Sequence, residues 1–188
     1  VVTPRALRTR ARILDVALDL FERHGYAATT VDQIAAAAGI TPMTFFRHFP
    51  TKDAVLVTDP YDPLIAESVA AQPEALRPVE RVRRGLLAAL GEISAAEDAT
   101  ARRRVALVAT SPALRAAVVA GTEETQAAIV ERLVTGGCPR LDAAVAASAC
   151  LAATTTALLA WGSEPEDVTL AELVRRALDQ LAPVGSAS

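Results

Sequence analysis

The chain has 188 residues, 52% apolar, 22% charged and 4% aromatic, which supplies core for one or two small domains and excludes a disordered tail protein. Glycine (9) and proline (11) are sparse and alanine, the best helix former, is abundant, so the expected fold is all-α and a β-sandwich is disfavoured. The net charge of -3 hides an asymmetry: residues 1–52 hold seven Lys/Arg against four Asp/Glu and residues 53–188 twelve against eighteen, giving +3 and -6, which suggests that one end meets a polyanion.

From Arg5 to His24 the apolar residues Ile13, Val16, Ala17, Leu20 and Phe21 recur at helical spacing and predict a first helix. Gly25 sits where a left-handed cap ends it, with His24 in the last turn, and the Thr29-Thr30 pair offers a hydroxyl cap to a second helix over about Thr30 to Ala38. Gly39 supplies a tight turn, and Thr41 with Pro42 starts a third helix running to about Phe49. Pro50 stops it, and Thr51 caps a fourth built on Ala54, Val55 and Leu56.

Pro60 and Pro63 then break the chain before a weaker helix to Ala71 and a joint at Pro73 and Pro78. Long helices are expected near 78–95, 99–109, 112–135, 140–161 and 168–182, separated by Ser111-Pro112, Gly136 to Pro139 and Gly162 to Asp167, with a frayed tail from Pro183 to Ser188. Cys138 and Cys150 lie in an apolar stretch with no CxxC pair and no histidine nearby, so they read as reduced packing residues and not metal ligands. No apolar run is expected to reach the roughly 18 residues that span a bilayer, and no hydrophobic block follows the basic start, so the chain reads as cytoplasmic.

The informative stretch is Thr29 to Lys52, two short helices around a glycine turn, a helix-turn-helix arrangement. Its packing requires Ile34, Ala35 and Ala38 to be small or apolar, Gly39 to turn, and Ile40 and Phe45 to fill the angle between the helices. The outward face of the third helix then carries Thr41, Met43, Thr44, Arg47 and His48, groups that suit base edges and phosphates, with Lys52 beside it.

Here the chain resembles the TetR family of bacterial transcription regulators. Thr29-Thr30-Val31, Ile34-Ala35, Ala38-Gly39-Ile40, Thr44, Phe46, His48-Phe49 and Lys52 occupy the places of that family's N-terminal pattern. The resemblance implies a helix-turn-helix DNA-binding domain at 1–52 and a helical effector-binding and dimerisation domain at 53–188. It implies a homodimer on a pseudo-palindromic double-stranded operator, DNA contacts from Thr30, Thr41, Met43, Thr44, Phe46, Arg47, His48 and Lys52, and a small effector, hydrophobic or acyl-bearing, that releases the DNA. Repressor action is the expectation, with no catalytic residues, no metal, no cofactor and no membrane partner. The family usually has tyrosine where this chain has Phe46; the missing hydroxyl forfeits one hydrogen bond, about 0.5–1.5 kcal/mol.

Blander readings stand beside these. His48 also suits packing near Phe49, Phe45 and Phe49 are core residues by type, and His24 suits a helix end. Arg5, Arg8, Arg10 and Arg12 read either as an arm along DNA or as a solvated helix start; Arg102-Arg103-Arg104 read as a solvated face or as forks for a phosphate-bearing effector. The pairs Glu123-Glu124 and Glu166-Asp167 read as solvated charge, and no nucleophile setting or phosphate-cradling glycine loop is present. Small-residue faces, Ala143, Ala146, Ala147, Cys150, Ala153, Thr154 and Ala157 on one helix and Leu173, Val174, Ala177, Leu178 and Leu181 on the next, permit close helix approach; the resemblance implies that helices near 140–161 and 168–182 pair two subunits, and the alternative is that the faces are used purely within one chain. Leu86, Leu90, Leu107, Val108, Val118, Leu151 and Trp161 read as pocket walls or ordinary core. The alternative function is a helical small-molecule-binding protein with a vestigial or constitutive helix-turn-helix.

Overall fold

Helix α1 (Pro4–His24) turns Ile13, Ala17, Leu18 and Phe21 wholly inward, as its apolar spacing requires. It ends at Gly25, which at φ 83 occupies the left-handed region and donates its N–H to the Phe21 carbonyl at 2.9 Å. Helix α2 (Val31–Ala37) opens on Thr30, whose hydroxyl and backbone exchange hydrogen bonds with Gln33 in a reciprocal capping box. Gly39, at φ 64, makes the turn into α3 (Pro42–His48), where the Thr41 hydroxyl accepts the Thr44 N–H at 3.2 Å. The short α4 (Ala54–Val57) follows, the Thr51 hydroxyl accepting the Ala54 N–H at 3.1 Å. The capping residues themselves lie outside the helices, so the expected spans of α2 and α3 are each trimmed at both ends.

The computed structural model describes residues 4–58, 62–91, 94–163 and 168–182. The expected break at Pro60, the Glu166-Asp167 pair and the tail from Pro183 lie outside them. The body consists of α5 (Asp62–Ala70), α6 (Pro78–Leu90), α7 (Ala95–Ala109), α8 (Pro112–Thr135), α9 (Arg140–Ser163) and α10 (Leu170–Asp179). Helix α10 is shorter than the expected 168–182, and the largest shifts fall between α6 and α7. Helix α6 ends at Leu90 and not at residue 95, and α7 starts at Ala95 and not at residue 99, where Ser94 and Glu97 form a second reciprocal capping box.

Two apolar clusters hold these helices. The first joins Ile13, Phe21, Ile34, Phe45 and Phe49 to Val55 and Leu56 of α4 and to Val108 and Leu114 at the α7–α8 corner, so the N-terminal helices are seated on the body through α4 and through α1 against α7. The second fills the body with Val69, Val82, Leu86, Ile129, Leu133, Trp161 and Leu178 among others. Close crossings depend on missing side chains: a Cβ on Gly85 of α6 would overlap Val69 of α5, and one on Gly162 of α9 would overlap the Val105 backbone of α7.

One expectation about α9 is corrected. With no charged residue between Asp142 and Glu164, it is long and apolar enough to cross a membrane by length and composition, contrary to the sequence reading. It packs here against α6, α7, α8 and α10, burying Ala143, Ala146, Ala147, Cys150 and Trp161. Ala143, Ala146, Ala147 and Cys150, with Leu173, Val174 and Leu178 of α10, lie inside the protomer and not on a face toward a second subunit, the intramolecular alternative, because the close approach they permit is already used by neighbouring helices. The uncovered stripe of α9 is Leu141, Val145, Ser148, Ala152 and Thr156, with Leu141 and Val145 exposed at 74% and 56%.

Candidate nucleic-acid interface

Helix α3 has one buried aromatic and a solvent-facing remainder. Phe45 is fully buried, edge-on to Phe46 and tilted against Phe49, with ring centroids 5.6 and 5.9 Å away. This anchor rolls the helix so that Met43 is 79% and Phe46 49% exposed. Thr41 and Arg47 are also exposed, while Thr44 and His48 are half-buried. The Thr41 and Thr44 hydroxyls lie 3.0 Å apart. Thr30, at the start of α2, is exposed with its hydroxyl held beside Gln33.

The end of α3 is tied to α1. Arg10 Nη1 donates to the His48 carbonyl at 2.5 Å, and the guanidinium stacks on the Phe49 ring, 4.1 Å from its centroid. Partial burial, followed by the charges of Arg47 and Arg10, holds the His48 pKa below the usual histidine value. The imidazole is therefore neutral at neutral pH.

Lys52 is placed differently from the other predicted contacts. Its Nζ donates to the carbonyls of Tyr26 and Thr29, each at 2.9 Å, and sits 4.2 Å from the centroid of the Tyr26 ring. The Tyr26 phenol donates to Asp53, and burial together with that carboxylate raises its pKa. Lys52 thus fastens the α1–α2 loop to the start of α4, a role that residue types alone do not signal because the partners are backbone atoms.

The three consecutive arginines of α7 go neither to solvent nor to an open phosphate site. Arg102 donates to the Val168 carbonyl at 2.7 Å and lies over Trp161; Arg103 forks between Asp19 and Glu22 of α1; Arg104 donates to the carbonyls of Leu56 and Thr58 at the end of α4. Two of the three join the body to the N-terminal helices. Among these same elements lies an apolar cavity of about 130 Å³, walled by Leu56 and Val57 of α4, Leu86 and Leu90 of α6, and Val108 and Val118 at the α7–α8 corner. Of the expected wall residues, Leu107, Leu151 and Trp161 do not line it. Both cysteines are free thiols, and burial pushes Cys150 up to about 11. Among the described residues no cluster of three or more His, Cys, Asp or Glu is placed to hold a metal ion.

Residues 13–57 match the family described as bacterial regulatory proteins, tetR family, and residues 76–185 match the MftR C-terminal domain. The chain is 32% identical over 126 residues to the HTH-type transcriptional regulator TcmR of Streptomyces glaucescens, covering 63% of this chain and 56% of that protein. It is 35% identical over 97 residues to the HTH-type transcriptional regulator EthR of Mycolicibacterium smegmatis, covering 45% and 44%. The matched part thus spans about half the length of these curated relatives. Among solved structures, SmeT, the repressor of the Stenotrophomonas maltophilia multidrug efflux pump SmeDEF, aligns with a TM-score of 0.57 at 27% identity over 91% of this chain and 87% of that one. A SmeT–triclosan complex aligns with a TM-score of 0.58 at 26% identity, covering 92% and 89%.

Proposed function

The chain belongs to the TetR family of bacterial regulatory proteins, and from that premise we propose a repressor that binds a pseudo-palindromic operator as a homodimer and is released by a small apolar effector. The observation that carries the reading is the outward presentation of α3, with Met43 and Phe46 exposed beside Thr41, Thr44 and Arg47 while Phe45 alone anchors the helix. A helix so presented enters a major groove; its polar groups reach base edges, and Met43 and Phe46 reach thymine methyls or sugar. Thr30 and His48 lie at the rim and suit phosphates. Lys52 joins them through its remaining N–H and holds the loop that carries Thr30.

The exposed stripe of α9 from Leu141 to Thr156, with the groove beside it lined by Ala160, Trp161, Arg176 and Gln180, is the proposed pairing face. Exposed leucine and valine among small residues suit a mate helix at close range. Pairing by a two-fold axis sets two copies of α3 about one turn of DNA apart.

The effector site is the cavity against α4. Its walls are apolar apart from Arg104 and Thr154, and the Arg104 guanidinium is already engaged by the carbonyls at the end of α4, which favours an apolar effector over a phosphate-bearing one. The relative SmeT has been seen with triclosan, which supports a small-molecule effector here. Release then requires the effector to prefer a body arrangement in which α4 carries the two reading helices out of register. Fluorescence anisotropy with DNA upstream of the coding region tests the reading: saturable binding that Arg47→Ala weakens supports it, and binding no tighter than to mixed-sequence DNA overturns it.

A further inference from the structure

We infer that the molecule accepted by the body cavity is uncharged and mostly apolar but carries one hydrogen-bonding oxygen, and that Thr154 of α9 is the residue that selects for that oxygen; this rests on the reading of the cavity as the effector site. Among the described residues two buried side-chain polar atoms lack a hydrogen bond, Arg81 Nε and Thr154 Oγ1. Of these two residues only Thr154 walls the cavity of about 130 Å³.

A threonine within a helix ordinarily satisfies its hydroxyl on its own backbone. Thr9, Thr100 and Thr135 donate to the carbonyl four residues earlier at 3.0, 2.9 and 2.8 Å, and Thr122 donates to the carbonyl three earlier at 2.7 Å. Thr154 makes no such bond. A buried hydroxyl held in that state costs free energy that valine, with the same shape, avoids. The neighbours offer no remedy. Leu158, one turn along the same face of α9, and Leu86, Leu90 and Val174 on the other walls are hydrocarbon. The other polar wall residue, Arg104, directs its guanidinium to the carbonyls of Leu56 and Thr58.

A hydroxyl donates one hydrogen bond and also accepts, so either a hydroxyl or a carbonyl oxygen on the guest completes Thr154. An ionised guest fits poorly, because its charge would be buried among leucine and valine side chains. The same small space is walled by Leu56 and Val57 of α4, so a guest that fills it and bonds Thr154 also meets α4. The oxygen handle on α9 thus decides which molecules bear on the helix that seats the N-terminal domain.

The test is isothermal titration calorimetry of the full chain with toluene and phenol, which exchange a methyl for a hydroxyl on one ring, and with benzoate. Toluene and phenol are both expected to bind the wild type. In Thr154→Val toluene keeps its affinity within about twofold while phenol loses about tenfold, because the phenol hydroxyl is then buried without a partner. Thr154→Ser retains the oxygen and is expected to retain phenol within about threefold of the wild type, which answers the objection that the valine variant has a disturbed fold.

An unchanged ratio of phenol to toluene affinity in Thr154→Val, or a loss of phenol in Thr154→Ser as great as in the valine variant, would overturn the proposal. A wild type that takes toluene and refuses phenol would also overturn it, leaving a site for hydrocarbon alone. Benzoate binding more tightly than phenol would overturn it in favour of an acid held by Arg104. If the wild type takes none of the three, the effector-site reading of the cavity fails, and the role of Thr154 with it.

Discussion

Arg104 Nη2 donates to the carbonyl oxygen of Leu56 at 2.9 Å, and both residues also wall the apolar cavity of the body. One side chain of α7 therefore grips the end of α4 at the place where a ligand would press on it. Replacing Arg104 by Met leaves the end of α4 without its cation and is expected to destabilise the chain by about 1–3 kcal/mol. A urea unfolding curve reads this as a lower midpoint, and an unchanged midpoint would show that the grip contributes nothing.

Lys52→Met separates two roles of one ammonium group. Losing its bonds to the Tyr26 and Thr29 carbonyls is expected to cost about 1–2 kcal/mol of stability. Losing a phosphate contact lowers the salt slope by about one per protomer. Unfolding and anisotropy measured on the same variant give both values. A lower midpoint with an unchanged slope would make Lys52 a tie and not a DNA ligand.

The cavity of about 130 Å³ is close to the size that accepts a benzene-sized guest, since a dry apolar cavity of about 150 Å³ does so. Benzene or toluene is expected to raise thermal stability saturably, by about 1.4 kcal/mol at ten times its Kd. Val118→Trp, which fills the space, is expected to abolish the effect. No shift in the wild type by differential scanning fluorimetry would remove the cavity from the account of release.

The pKa of His48 lies below its ordinary value in the free chain, so the imidazole takes up a proton when the negative potential of DNA favours the charged form. Affinity is therefore expected to rise as pH falls from about 7.5 to about 5.5, and to rise less in His48→Gln. The stability of the free chain moves the opposite way. Its depressed folded pKa means the unfolded chain binds the proton more tightly, so acidification below about 6.5 weakens the fold. A flat affinity profile in the wild type would place His48 away from the phosphates.

What was legible in the sequence was local. Thr30, Gly39, Thr41 and Pro42 announce their caps and turn by residue type, and Phe45 announces its burial by spacing, so the helix-turn-helix could be read before any coordinates. The box of Ser94 and Glu97 is an equally local signal, and it starts α7 at Ala95. Long-range pairing was not legible. Nothing about Arg103 names Asp19 and Glu22, which are more than 80 positions away, and nothing about Lys52 names two carbonyls. The small residues of α9 were correctly seen as an approach surface, but alanine spacing does not say whether the approaching helix belongs to the same chain. The buried Ala143, Ala146 and Ala147 and the exposed Leu141 and Val145 settle which side is used within the protomer.

The most direct test of the central claim, that two copies of α3 enter successive turns of one duplex, is a hydroxyl-radical and methylation footprint of the dimer on its upstream DNA. Two protected segments related by a dyad are expected, their centres about 10 base pairs or a small multiple of that apart, both lost in Arg47→Ala. A single unsymmetrical segment, or protection that survives the loss of Arg47 and Thr44 together, would contradict it.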